Sequence, residues 1–268
     1  LNNMAHQVSA KGVVGLGALG RAIDRLLPDK KNIPVVFFTV KAFDLRRALL
    51  EQNDQWPETT PFITLCNGYI WTIINDFQSK LTHRPIRVGM TTIGSTIKPG
   101  GDIQVFLDGT TTAWGHWPTS ASSVTSPSPE ELICLKNFPN GTWQDDIRPM
   151  IRKKWILNAA INSVAAAHRL SKNGLLTAHG QELENILVES IELSEKLWQD
   201  LPWEPGAKES IPGQLWNVVE ATSGNQNSMA RDMILGRQTE SDFLAGMARD
   251  FAGFKRLKAI HEKITQNT

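Results

Sequence analysis

Gly15-Leu16-Gly17-Ala18-Leu19-Gly20 sets three glycines in a G-x-G-x-x-G spacing, directly after the apolar pair Val13-Val14 and before a helix-compatible run, Arg21 to Leu27. A chain that leaves a strand through such a turn and re-enters as a helix is committed to a β-loop-α unit, the setting of a dinucleotide fingerprint. One glycine permits the tight turn, the next lets pyrophosphate approach the backbone, and the third lets the helix pack closely on the strand. The helix N-terminus then offers N–H groups and a partial positive charge to phosphate. Glycine-rich turns also occur in other folds, so the loop alone does not establish a nucleotide site.

The hydrophobic texture divides the chain in two. Up to about residue 117 it carries short β-rich runs: 13–16, 34–40, 61–65, 86–93, 103–107 and 111–114. Helical stretches at 45–51 and 70–81 alternate with the earlier ones, the pattern of an α/β sheet. Residues 118–130, rich in Ser, Thr and Pro, read as a solvent loop, and 142–148 as the boundary. Beyond it the pattern is helical throughout: 150–170, 181–200, 213–235 and 240–264, with a break at Leu201–Gly206. The expected domains are 1–144, α/β, and 145–268, all-helical. A length of 268 residues suits two domains.

Two constellations in the second half carry chemistry. Lys154, Asn158 and Asn162 lie four apart; each step of four advances roughly 40°, so one helix face carries an ammonium and two amides. Trp155, Ile156, Leu157 and Ile161 occupy the other faces and would bury the helix. Such a row suits a small polar substrate, because each amide offers both a donor and an acceptor; the alternative is a solvated polar edge. Near the C-terminus, Asn225-Gln226-Asn227-Ser228-Met229 is followed by Gly236-Arg237-Gln238-Thr239-Glu240. Thr239 is placed to cap a helix beginning at Glu240, whose carboxylate favours the positive end.

Together these segments resemble the ketopantoate reductase (2-dehydropantoate 2-reductase) family, in that family's order. Besides the glycine loop, the likeness includes Val40-Lys41-Ala42-Phe43, Leu65-Cys66-Asn67-Gly68, Gly89-Met90-Thr91-Thr92-Ile93-Gly94-Ser95, Pro99-Gly100-Gly101 and the Asn173-Gly174 turn. It extends through the Lys154 row and both C-terminal segments. The resemblance implies a Rossmann-like nucleotide-binding domain followed by an all-α C-terminal domain like that of 6-phosphogluconate dehydrogenase. It implies NADPH-dependent reduction of 2-dehydropantoate to pantoate, a step of pantothenate and CoA biosynthesis. Lys154 would protonate the ketone oxygen and Glu240 would anchor Lys154, substrate or the cofactor ribose. Asn158, Asn162 and Ser228 would hold the substrate, with Asn173 and Asn225 at the pocket edge. For the cofactor NADP(H), the implied contacts are Gly15, Leu16, Gly17, Ala18, Leu19, Gly20, Lys41, Asn67, Ser95 and Glu240, Asn67 also touching substrate. The two halves would form the cleft in which the glycine loop meets Lys154.

One departure stands out. In the family a second strand follows the loop-helix and ends near the adenosine ribose. Here Gly20 is followed by one short helix, a break at Pro28-Asp29-Lys30-Lys31-Asn32 and then the 34–40 strand, whose Lys41 end matches the family's later V-K-A strand. About one strand-helix-strand of chain is therefore unaccounted for. The rival reading makes 34–40 the second strand itself, with Lys41 or Lys30/Lys31 meeting the 2′-phosphate.

Charge, with 28 Lys and Arg against 27 Asp and Glu, gives no extended nucleic-acid surface. No apolar run approaches the ~18–20 residues that span a membrane, and no targeting segment is evident. Cys66 and Cys134 form neither a disulfide framework nor a metal spacing, which suits a reducing cytoplasm. The six histidines show no ligand spacing, so no metal is expected. The expected partner is a small 2-keto acid, and the resemblance allows a homodimer. Two alternatives remain: a reductase of another 2-keto or 3-hydroxy acid, and a non-catalytic nucleotide-binding relative. Against a β-hydroxyacid dehydrogenase stands Ile151, where that family commonly has Gly.

Overall fold

The computed structural model describes residues 7–27, 35–80, 84–98, 100–118 and 126–266. The Pro28–Asn32 break, Lys30, Lys31, Pro34, Pro99 and residues 119–125 of the Ser/Thr/Pro stretch lie outside them. The chain divides into two compact units, 1–148 and 149–268.

In the first unit, strands β1 (Val13–Val14), β2 (Val36–Phe38), β3 (Phe62–Thr64) and β4 (Ile86–Thr91) run parallel and neighbour one another in chain order. The strands are shorter than the apolar runs predict, because the flanking residues turn into the loops that join them. Helices α1 (Ala18–Leu26), α2 (Ala42–Asn53) and α3 (Trp71–Lys80) connect the strands. A hairpin, β5 (Gly94–Ile97) and β6 (Ile103–Phe106), leaves the sheet after β4. Strand β7 (Thr112–Gly115) returns antiparallel to β4, and β8 (Gly141–Gln144) pairs parallel to β7.

Inside the stretch read as solvent loop, α4 (Pro129–Leu135) begins. It is set by a capping box: Ser128 Oγ accepts from the Glu131 N–H, Glu131 accepts from the Ser128 N–H, and Pro129 fills the first helical position. Glu131 is fully buried and also meets the buried Arg87 guanidinium, Nε to Oε1 3.0 Å. The helix was hidden from hydrophobic periodicity by its seven-residue length.

Val13, Phe37, Ile63 and Trp114 point to one face of the sheet, where Ala22 and Ile23 of α1, Leu135 of α4 and Ile103 of the hairpin close a continuous core. Val14, Val36, Phe38 and Phe62 alternate with them and are buried on the other face, which α2 and α3, packed on each other, cover. Successive right-handed crossovers that add strands in one direction keep their helices on one face. Helix α1 does not share a face with α2 and α3. The β1–α1–β2 connection is thus not a standard step of a doubly wound sheet.

The second unit is helical: α5 (Arg148–Ala167), α6 (Gly180–Leu197), α7 (Ile211–Ala221), α8 (Ser228–Ile234) and α9 (Lys255–Thr265). A 3₁₀ segment, Asn173–His179, leads into α6. The continuous helix expected over 213–235 is interrupted between α7 and α8, around Gly224. That expected over 240–264 becomes two 3₁₀ turns, Ser241–Phe243 and Ala245–Asp250, before α9. Gly253 (φ +87°) and Phe254 (φ 51°) take left-handed backbone that a helix cannot continue through. The restart at α9 is capped by Glu189, whose carboxylate accepts from the Arg256 and Leu257 N–H groups.

Candidate active site

The glycine loop assigns each of its glycines a different task. Gly15 has φ +89°, and a Cβ there would lie 2.8 Å from Val40 Cγ1. At Gly20 a Cβ would stand 1.8 Å from the Gly15 carbonyl oxygen, so only glycine lets α1 approach the loop. Gly17 is exposed, and a Cβ there would meet no atom within 4 Å. The space above Gly17 is open, as a pyrophosphate would require. Gly17 caps α1 with no side-chain hydrogen bond, so the first turn keeps its N–H groups available to a ligand. Thr39 Oγ1 donates within the loop's reach, 2.6 Å from the Gly15 carbonyl and 3.0 Å from that of Val14, tying β2 to the turn. Leu16, Ala18 and Leu19 are half-buried.

Lys41 forms the N-cap of α2, and Asn67 precedes Gly68, whose φ is +90°. Cys66 is buried and donates to the Val40 carbonyl at 3.1 Å, so it belongs to the core. Ser95 lies on β5 opposite Val105. Among the described residues, no parallel strand pairs with the outer side of β1, where a ribose-binding strand would lie. The Val8–Val14 antiparallel bridge occupies that side instead.

In the second unit the row on α5 is held from behind. Trp155 is buried, its Nε1 donates to the Phe243 carbonyl at 3.0 Å, and its ring meets Trp198 edge-on. Lys154 and Asn158 are half-buried, and Asn162 is buried. The Asn158 side chain hydrogen-bonds to no described residue. Asn162 Oδ1 accepts from Asn227 Nδ2 at 2.7 Å, while Asn227 Oδ1 caps α8 by accepting from the Met229 and Ala230 N–H groups. That arrangement fixes the Asn162 amide orientation and leaves its NH₂ without a protein partner among the described residues.

Asn173 sits 7% exposed at the start of its 3₁₀ segment; its Nδ2 donates to Thr222 Oγ1 at 2.9 Å, and its N–H to the Asn225 carbonyl. Its Oδ1 is buried with no partner, an acceptor position that a substrate hydroxyl can satisfy. The Asn225 and Ser228 side chains are exposed.

Glu240 is 4% exposed and immediately precedes Ser241, whose N–H donates to Thr239 Oγ1 at 3.4 Å. Ser241 Oγ and His261 Nδ1 lie 2.8 Å apart, both buried. Burial is the main cause that lowers the His261 pKa below its ordinary value. Arg152, one turn-edge away from Lys154, does not join the row: it is buried, donates to Ser194 Oγ and the Leu201 carbonyl, and stacks 3.6 Å over Trp203. Burial lowers its pKa, with Glu195 opposing.

Sequence reasoning missed three contributors. Asn227 could have been found as the cap before Ser228. Thr222 and His261 had no local signal, because each reaches its partner across the fold.

Two family models match the chain: "Ketopantoate reductase PanE/ApbA" over residues 21–119 and "Ketopantoate reductase PanE/ApbA C terminal" over 146–259. The first match begins just after Gly20, so the glycine loop lies outside it. The 2-dehydropantoate 2-reductase of Escherichia coli O157:H7 is 25% identical over 234 residues, 87% of this chain and 71% of that protein. A probable 2-dehydropantoate 2-reductase of Bacillus subtilis superposes with a TM-score of 0.64 at 23% identity, over 88% of this chain and 77% of that one. D-mandelate dehydrogenase with NADH and anilino(oxo)acetate gives 0.73 at 14% identity, over 95% and 97%.

Proposed function

Since the chain belongs to the ketopantoate reductase family, an oxidoreductase family, we propose that it reduces the ketone of 2-dehydropantoate to pantoate with NADPH. The observation that carries this reading is the α5 row: an ammonium and two amides on one face, with Asn162 oriented by Asn227. When bound, the reduced nicotinamide supplies the hydride. Addition to a carbonyl leaves negative charge on oxygen, and Lys154 stabilises that charge and delivers the proton. The amides of Asn158 and Asn162, with Asn173 Oδ1, hold the hydroxyl and carboxylate. Ser228 and Asn225 close the pocket edge. Glu240, fixed by the Ser241 turn, orients Lys154. Gly15 to Gly20 cradle the pyrophosphate, and Lys41, Asn67 and Ser95 line the nicotinamide half of the cofactor site.

The test is loss of nicotinamide absorbance on mixing the protein with 2-dehydropantoate and either NADPH or NADH. Turnover with NADPH is expected, and Lys154→Ala should lower kcat by at least about a hundredfold while dinucleotide binding is retained. Oxidation only with another 2-keto acid would keep the reductase and reject this substrate. Parallel loss of turnover and dinucleotide binding in Lys154→Ala would make that residue structural.

A further inference from the structure

Three side chains that sequence spacing keeps apart converge at the junction of α5 and α6. His168 follows the last residue of α5, His179 caps α6 and Glu182 stands in its first turn. His168 Nε2 lies 2.7 Å from Glu182 Oε2, and His179 Nδ1 lies 3.9 Å from the same oxygen. The two imidazoles stack at 3.8 Å, inclined by 36°. One ligand atom from each residue falls within 4.8 Å of the others. All three are half-buried, neither sealed in the core nor free in solvent.

Ligand atoms about 2.0–2.1 Å from a tetrahedral zinc ion stand roughly 3.3–3.4 Å apart. The observed separations bracket that value. Side-chain rotations moving each atom by less than about 1 Å would close the shell. We propose that His168, His179 and Glu182 form a binding site for a borderline dication of the Zn²⁺ class. Two imidazole nitrogens with one carboxylate suit zinc or cobalt, whereas magnesium and calcium take oxygen shells. Three protein ligands leave a fourth position to water.

The site belongs to no step of the proposed reduction. Its consequence is positional: the ligand-bearing segment 168–182 contains Asn173, so an ion bridging its two ends fixes the turn that presents the unpartnered Asn173 Oδ1. Lys263 of α9 brings its Nζ to 3.5 Å from His168 Nε2. Its charge competes with an incoming ion at the same nitrogen, so removing that charge should strengthen binding.

Zn²⁺ is titrated into the chelator-treated full chain against a chromophoric competitor, and Co²⁺ is followed by its ligand-field spectrum. One ion per chain is expected, with nitrogen-oxygen coordination in the Co²⁺ spectrum and a raised melting temperature. The His168→Gln/His179→Gln variant should bind at least about tenfold more weakly. Lys263→Met should bind more tightly than the parent. Circular dichroism of the apo-proteins shows that each variant is folded. No binding by the parent, equal affinity in the double variant, or an equal response to Mg²⁺ would overturn the site. None of these outcomes depends on the keto-acid reaction.

Discussion

Asn227 does two jobs with the two ends of one amide: its oxygen caps α8 and its nitrogen holds Asn162. The jobs separate under Asn227→Asp. A carboxylate still accepts from the Met229 and Ala230 N–H groups and suits the helix N-terminus, so the melting temperature should hold. It cannot donate to Asn162 Oδ1, so the Asn162 amide turns over to donate its NH₂ to the carboxylate and no longer keeps that group for substrate. KM for the keto acid should rise about tenfold, roughly 1.4 kcal/mol of lost binding. If stability and KM move together, Asn227 is a structural cap alone. Lys154, Asn158 and Asn162 were legible because helical periodicity alone puts them on one face. The Asn162–Asn227 pair was not, since 65 residues separate its members.

At the scale of elements, the glycine loop makes unequal predictions for two of its glycines, Gly20 and Gly17. Gly20→Ala would drive a Cβ to 1.8 Å from the Gly15 carbonyl oxygen, forcing α1 off β1. The protein should melt lower. Gly17→Ala meets no protein atom within 4 Å, so the melting temperature should stay unchanged while dinucleotide affinity falls. Thermal melts with a fluorescence titration of NADPH read both. Undiminished affinity in a stable Gly17→Ala protein would remove the loop from the cofactor site. The loop and most strands could be read from apolar runs bounded by turn residues. Helix α4 could not be read from hydrophobic pattern, although its Ser128–Glu131 capping box was present; the break just before α9 was set by left-handed backbone at Gly253 and Phe254, which periodicity does not report.

For the whole molecule, both units carry a buried histidine. Burial, then Arg249, lowers the His261 pKa, against Asp242 and Glu262. Burial, then Arg87, lowers that of His116. In each case the unfolded imidazole takes a proton at a higher pH than the folded one. The stabilisation from keeping these groups neutral is complete above about pH 6.5 and declines as the pH falls below it. Melting temperature should therefore drop between pH 7.5 and 5.5, and less steeply in His261→Gln. Equal slopes would mean that His261 is not held neutral by the fold. The face occupied by α1 is a property of the whole sheet too. Hydrophobic runs report strand identity but not which face a crossover takes.

The fold-back at Val8 has a bearing on how molecules meet. The outer rim of β1 has its polar groups engaged: Ser9 N–H donates to the Val13 carbonyl, Gly15 N–H to the Gln7 carbonyl, and Val13 N–H to Ser9 Oγ. An open rim of a parallel sheet is a template on which a foreign strand can nucleate, and crowded solutions exploit it. Here the chain supplies its own stopper. This side of the sheet is thereby closed to strand-by-strand growth, a safeguard against fibrous self-association at the place where a doubly wound sheet would ordinarily have continued.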